Sequence, residues 1–234
     1  TLEFLVDRGG NNYFIEMNPR IQVEHTITEM CTGIDLVRSQ ILVAEGYELS
    51  DEMIGIKSQE DIKQNGYAIQ CRVTTEDPSN NFAPDTGKIT SYFSPGGFGV
   101  RLDGATSGVG SVISPYYDSL LVKITCWDNT FKNACKKTLR AIQEIRISGV
   151  KTNIGFISNI LTNPTFIEGK CHTKFIDETP ELFNLDNGED KSTKMLKYIA
   201  TKTLAESGHH KRYDEIRMPE LTGNKPDGLK QLLD

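Results

Sequence analysis

Glu16-Met17-Asn18-Pro19-Arg20-Ile21-Gln22-Val23-Glu24-His25 alternates polar and apolar side chains as far as Glu24. Glu16, Asn18, Arg20, Gln22 and Glu24 form the polar set; Ile15, Met17, Ile21 and Val23 form the apolar one. In an extended backbone successive side chains point to opposite faces, so the polar groups share one side. Carboxylates, amides and a guanidinium gathered there suit a cation and an anion better than they suit bulk solvent. Fully extended, Glu16 to Glu24 would span about 26 Å at roughly 3.3 Å per residue, too long for one small site. Pro19 cannot donate to a central ladder. It marks where the strand ends and the chain folds back.

The preceding residues supply the partner strand. Glu3-Phe4-Leu5-Val6 reads as a strand. Asp7-Arg8-Gly9-Gly10-Asn11-Asn12 reads as a turn, because Gly and Asn accept positive φ and Asp bonds back to nearby backbone. Tyr13-Phe14-Ile15-Glu16-Met17 is the return strand. With Val6 facing Tyr13, Glu3 falls opposite Glu16. Like charges directly opposite are destabilising. A divalent cation between them reverses that sign, and hard oxygen ligands are what Mg²⁺ takes. Asn18 adds a third oxygen on the same face. The competing account is a pair of edge carboxylates that never meet, since a one-residue slip would separate them.

The rest of the chain sets limits on class. With 234 residues there is room for one or two domains and a substantial core. A net charge of −6 and the lack of any Lys/Arg cluster argue against a nucleic-acid surface. No apolar run approaches the roughly 20 residues of a membrane span. Cys31, Cys71, Cys126, Cys135 and Cys171 are scattered, without C-x-x-C. They read as reduced, mostly buried thiols of an intracellular protein. His172, His209 and His210 show no metal spacing.

The pattern predicts strands first and helices afterwards. A helix capped by Thr32, with Asp35 three residues on, is expected to run to about Glu45 and stop at Gly46. Residues 48–65 read as a crossover. In 66–74, Tyr67, Ile69, Cys71 and Val73 face one way and Ala68, Gln70, Arg72 and Thr74 the other, a sheet with one buried face. Further strands are expected over 87–93, 100–102 and 120–127, with a glycine-rich loop at 104–110 that lacks the G-x-x-x-x-G-K-[ST] phosphate pattern. A helix from Thr130 through Arg146 ends at Gly149. A second runs from Asn153 to Leu161, and a short third covers 173–182. Residues 184–191 read as loop, Ser192 to Glu206 as a helix striped by Met195, Leu196, Ile199 and Leu204, and 207–234 as a linker. The fold class is α+β, an antiparallel sheet followed by packed helices with a partly irregular C-terminal linker.

F-I-E-M-N-P-R-I-Q-V-E-H-T (14–26) with the upstream E-F-L resembles the metal- and bicarbonate-binding segment of biotin carboxylases, in the ATP-grasp superfamily. G-Y-A-I-Q-C-R-V-T-T-E-D-P (66–78), P-D-T-G-K-I (84–89), S-P-G-G-F-G-V-R (94–101), S-P-Y-Y-D-S-L-L-V-K (114–123) and S-G-V-K-T-N (148–153) agree in order. The resemblance covers Thr1 to about Phe183. The insertion before Gly66 and F-I-D-E-T-P-E-L-F (175–183) resemble the pyruvate-carboxylating branch. The chain then reads as a piece of a longer polypeptide. Residues 1–50 would be the C-terminal part of the ATP-grasp core, 51–183 the biotin carboxylase C-terminal domain, and 184–234 a linker toward assembly and carboxyltransferase regions.

The resemblance implies roles residue by residue. Glu3, Glu16 and Asn18 match the holders of Mg²⁺ (or Mn²⁺) against ATP phosphates, where a cation neutralises charge on the transferred group. Arg20, Gln22 and the Val23 backbone match the bicarbonate pocket, a guanidinium offering a planar fork to a planar oxyanion. Glu24 matches the general base, with Arg20 as the neighbour that would lower its basicity. Arg72 matches the residue that stabilises the biotin enolate. Thr173 falls where the family contacts adenine. Implied cofactors are ATP, Mg²⁺ and a biotin tethered to a domain not in this sequence. Implied partners are bicarbonate, the remainder of the polypeptide, and further copies, a dimer through this domain and a tetramer of the parent. The implied setting is cytoplasmic, or the mitochondrial matrix in a eukaryote.

Each role has a plainer competitor. Arg72 alone would be a surface or ion-pair residue. Glu24 could be a helix-start carboxylate near the macrodipole. His25 is more often structural than a ligand. Tyr116-Tyr117-Asp118 would pack the domain. The family's glycine-rich phosphate lid and ATP-contacting lysines are not among these residues, nor is A-M-K-M. The chain alone is therefore expected not to carboxylate biotin. The rivals are the biotin carboxylase of an acyl-CoA or urea carboxylase, and a non-catalytic assembly module.

Overall fold

The computed structural model describes residues 1–104, 108–185 and 191–206, without the side chains of 191–194 and 204–206. Residues 105–107 of the expected 104–110 loop, residues 186–190 of the expected 184–191 loop, the side chain of Leu204 and the linker 207–234 lie outside what the structure describes.

The chain opens with a hairpin, β1 (Leu2–Val6) and β2 (Asn12–Met17). Two helices follow, α1 (His25–Thr32) and α2 (Leu36–Ala44). The expected single helix from Thr32 is thus corrected. Thr32 ends α1, its hydroxyl donating back to the Thr28 carbonyl. Gly33 stops that helix in the left-handed region at φ 75°, where glycine carries no steric cost. The true cap of α2 is Asp35, whose carboxylate accepts the Arg38 N–H at 2.8 Å.

The centre is a three-stranded antiparallel sheet in the order β3 (Tyr67–Thr74), β10 (Leu120–Asp128), β8 (Val100–Gly104). Short two-stranded ladders surround it. They join β4 (Glu76–Asp77) to β5 (Ala83–Pro84), β6 (Gly87–Lys88) to β9 (Val112–Ile113), and β7 (Ser91–Phe93) to β11 (Arg146–Ser148). The strand expected over 87–93 is therefore two strands with different partners, broken at the fully buried Ile89.

Register sorts the side chains of the central sheet. Lys123 faces Arg72 on one side and Asp103 on the other; Thr125 faces Gln70 and Arg101. These polar groups line one face. Ile69, Cys71, Val73, Val122, Ile124 and Cys126 line the other and are buried against α3 (Phe131–Glu144). The α3 stripe Ala134, Cys135, Thr138, Ala141 and Ile142 meets them. Each such aliphatic side chain withdrawn from water contributes about 1.5–3 kcal/mol. Thr130 caps α3, but the helix ends at Glu144, and Ile145-Arg146 leave it for β11 rather than continuing it.

α4 (Ile154–Thr162) begins where expected, and α5 (Pro164–Ile167), missed in the sequence, follows Asn163. The expected helix over 173–182 is instead a run of turns closed by a 3-10 turn at Pro180–Phe183. Phe156, Phe175 and Leu182 form a second core cluster there, with Phe82 and Phe183 against it. The ring of Phe175 is what the segment buries, so packing, not helix period, holds it. A second unit, 187–234, contains α6 (Lys191–Glu206), on which Met195, Leu196 and Ile199 are exposed.

Candidate active site

The hairpin brings Glu3 opposite Glu16 by a route the turn chemistry does not reveal. Near the turn the pairs are Val6 with Asn12, Leu5 with Tyr13 and Phe4 with Phe14, one residue off the expected register. The register then shifts between Glu3 and Phe4, leaving Ile15 as an extra residue, and Glu3 pairs with Glu16. The Asn18 side-chain amide bridges the two, Nδ2 donating to Oε1 of Glu3 at 3.0 Å and of Glu16 at 3.1 Å. Gln22 Nε2 reaches the same Glu3 oxygen at 3.4 Å. No group of three or more His, Cys, Asp or Glu side chains assembles a metal site among the described residues. The set here is two carboxylates and an amide, which supplies hard oxygens. Two like charges held together only by neutral donors fit a divalent cation between them.

After Met17 the chain folds back as Pro19 implied, with the Asn18 N–H bonded to the Thr1 carbonyl at 2.8 Å. Arg20 stays exposed, its Nη1 making a long 3.4 Å bond to the Ile21 carbonyl. Gln22 is buried, and its Oε1 has no hydrogen-bond partner. Buried polar atoms are rarely left so, and such an acceptor marks a place for a donor.

Glu24 holds the position before α1, yet its side chain caps no helix N–H. Its Oε2 lies 3.1 Å from Arg72 Nη2 instead, with the two side chains 47% and 53% exposed. The sequence reading set Arg20 beside Glu24. The guanidinium found there is that of Arg72, which β3 presents across 48 residues of chain.

Further groups hold the same turn. Gln70, two residues before Arg72 on the same face of β3, donates Nε2 to the Val23 carbonyl at 2.8 Å and to Thr26 Oγ1 at 2.6 Å. Lys123 Nζ approaches the Val23 carbonyl at 3.4 Å. Thr26 and Thr125, both fully buried, share a 2.7 Å hydroxyl bond that fastens α1 to β10. His25 Nδ1 lies 2.6 Å from the Gln22 carbonyl. Buried Glu29 faces His25 at 3.7 Å and takes Arg101 Nη1 at 2.5 Å. Asp103, and behind it Glu29, hold the Arg101 proton more tightly than usual, against the opposing effect of burial. Period-2 alternation in 66–74 already set Gln70 beside Arg72. The contacts of Lys123, Thr26 and Arg101 needed the fold.

Thr173 sits exposed among the turns after α5 and shares no hydrogen bond with the hairpin or α1 among the described residues. Tyr116 and Tyr117 are almost wholly exposed, which removes the packing role expected of them.

Comparison with known proteins follows this geometry. Residues 70–178 match the biotin carboxylase C-terminal domain family, and residues 1–52 match the ATP-binding domain of the carbamoyl-phosphate synthase L chain family. The pyruvate carboxylase of Bacillus subtilis is 52% identical over 100% of this chain, which covers 21% of that enzyme. A complete multifunctional pyruvate carboxylase from Rhizobium etli superposes with a TM-score of 0.80 at 50% identity, over 87% of this chain and 19% of its own. The biotin carboxylase domain dimer of Hydrogenobacter thermophilus 2-oxoglutarate carboxylase, solved with MgADP, ADP and bicarbonate, gives a TM-score of 0.73 at 47% identity, over 78% of this chain and 39% of its own. The chain thus spans about a fifth of the length of the curated relatives it matches. With two family matches in sequence order and half its residues shared with a pyruvate carboxylase, the chain carries a biotin carboxylase C-terminal domain over 70–178 and is similar along its length to the corresponding fifth of that enzyme.

Proposed function

We propose that the chain supplies the C-terminal half of a biotin carboxylase domain in a pyruvate carboxylase. The observation that carries this is the line of contacts from Glu3, Glu16 and Asn18 through Gln22 to the 22–24 turn and on to Arg72. Residues 1–50 close the ATP-grasp core, 51–183 form the C-terminal domain, and 184–234 lead toward the assembly and carboxyltransferase regions. The whole protein uses ATP, Mg²⁺ (or Mn²⁺) and bicarbonate to carboxylate a tethered biotin. It then passes CO₂ to pyruvate to give oxaloacetate. It pairs through this domain and assembles further as a tetramer.

Bound Mg²⁺ supplies neutralisation of charge on the transferred phosphoryl group. Glu3 and Glu16 would hold it by their carboxylates, and Asn18 by its amide oxygen once the amide turns from the hydrogen bonds its nitrogen makes to both acids. Arg20, the Gln22 side chain and the Val23 N–H receive bicarbonate, and Glu24 removes its proton. Arg72, whose Nη2 lies 3.1 Å from Glu24 Oε2, stabilises the biotin enolate through its positive charge. Thr173 contacts the adenine. The chain alone does not carboxylate biotin, because a glycine-rich phosphate lid and the lysines that position the ATP phosphates are not among its residues.

The test uses the intact enzyme and labelled bicarbonate. Label is expected in oxaloacetate, dependent on pyruvate, ATP and Mg²⁺. Label entering acetyl-CoA or propionyl-CoA in place of pyruvate would overturn the choice of acceptor. Bicarbonate-dependent ATP cleavage by the 234-residue chain alone would overturn the half-site reading.

A further inference from the structure

The carbonyl of Gln22 and the N–H of Val23 belong to one peptide unit. In a planar trans peptide those two groups point in opposite directions, so fixing one aims the other. The imidazole of His25 fixes the carbonyl. Its Nδ1 lies 2.6 Å from Gln22 O, and the His25 backbone N–H reaches the same oxygen at 3.2 Å. A carbonyl only accepts, so Nδ1 carries the proton. On the far side of the ring Nε2 faces Glu29 Oε2 at 3.7 Å. Glu29 is itself immobilised, with Oε1 taking the Leu36 N–H at 2.7 Å and Oε2 taking Arg101 Nη1 at 2.5 Å. The imidazole is therefore wedged between a fixed carboxylate and the peptide it orients. The next carbonyl, of Val23, is held by Gln70 at 2.8 Å. Two successive carbonyls are thus turned toward the sheet and α1. The Val23 N–H donates no hydrogen bond among the described residues.

We propose that His25 is a positioning residue for the oxyanion pocket. By holding the Gln22 carbonyl it aims the Val23 N–H at a small planar anion. This rests on reading 20–24 as the bicarbonate pocket. His25 touches no substrate; its effect passes through the peptide.

The experiment measures bicarbonate-dependent ATP cleavage by the full-length enzyme carrying His25→Ala, His25→Asn or His25→Gln. An Asn amide nitrogen reaches the place of Nδ1, and a Gln amide nitrogen the place of Nε2. His25→Ala is expected to raise KM for bicarbonate about tenfold, the effect of one lost hydrogen bond of roughly 1.4 kcal/mol, with KM for ATP unchanged. His25→Asn is expected to recover most of that loss, and His25→Gln none of it. His25→Asn and His25→Gln are both polar and close in size, so their contrast stands even where His25→Ala fails to fold. Equal KM values for these two, or KM for ATP rising in step with that for bicarbonate, would overturn the proposal alone. An unsubstituted enzyme without bicarbonate-dependent turnover would overturn the pocket reading as well.

Discussion

Glu24 sits where a helix cap belongs and makes no cap; its carboxylate goes to Arg72 at 3.1 Å. The ion pair is about half exposed, so it contributes at most about 1 kcal/mol to stability. A general base, by contrast, contributes roughly 10²- to 10⁴-fold in rate. Glu24→Gln in the intact enzyme is therefore expected to lower kcat by that order while leaving the melting temperature nearly unchanged. Equal loss of both would make Glu24 a structural residue. Thiols give a second residue-level expectation. Burial first, then neighbouring Cys126 and Cys135, push the Cys71 thiol up to about 12. Cys31, Cys126 and Cys135 are buried as well, and Cys171 is exposed. Iodoacetamide on the folded protein should label Cys171 first, with the other four following only on denaturation, as read by peptide mass spectrometry. That burial was legible from the scatter of cysteines. The partner of Glu24 was not, because no local rule couples residues 48 positions apart.

Strand β3 was legible because its two faces meet different surroundings, core on one side and α1 on the other, and alternation records this. Helix α1 was not. His25-Thr26-Ile27-Thr28-Glu29-Met30-Cys31-Thr32 is rich in β-branched residues of modest helix propensity. It is fastened from outside, by Thr26 on Thr125 and by Glu29 on Arg101. The Asp77–Lys151 pair ties β4 to the chain beyond β11 in the same non-local way. The Lys151 ammonium, then Ser79, hold the Asp77 carboxyl below its ordinary range. Asp77 in turn raises Lys151. With the folded acid depressed, its contribution is complete above the unfolded value, about 4, and is lost as pH falls through the lower folded value. With the folded amine raised, its contribution is complete below about 10.4 and is lost as pH climbs through the higher folded value. Lys151→Met should flatten the acid limb of melting temperature against pH. An unchanged limb would show that the pair adds nothing.

Across the described residues, order is unevenly distributed. The central sheet and α3 enclose a continuous core, whereas Leu2, Phe4, Leu5, Val6, Tyr13, Phe14, Ile15 and Met17 leave both faces of the hairpin half exposed or more. A two-stranded hairpin is marginal without a surface to cover it. Hydrogen exchange on the 234-residue chain should find hairpin amides exchanging far faster than those of β10. Comparable protection would mean that the hairpin is covered. No helix among the described residues is long and apolar enough to cross a membrane. The oxygen cluster thus lies on a hairpin exposed on both faces, and Arg72 and Gln70 on a strand of the central sheet.

The extra residue at Ile15 lets the two ends of the hairpin keep separate registers. Glu3 and Glu16 meet in one, and the loop beyond Val6 closes in the other. Loop length and carboxylate geometry are accordingly independent design variables. A fluorophore or short epitope grafted between Gly9 and Gly10 would leave the facing acids in place, giving a spectroscopic handle on the paired carboxylates.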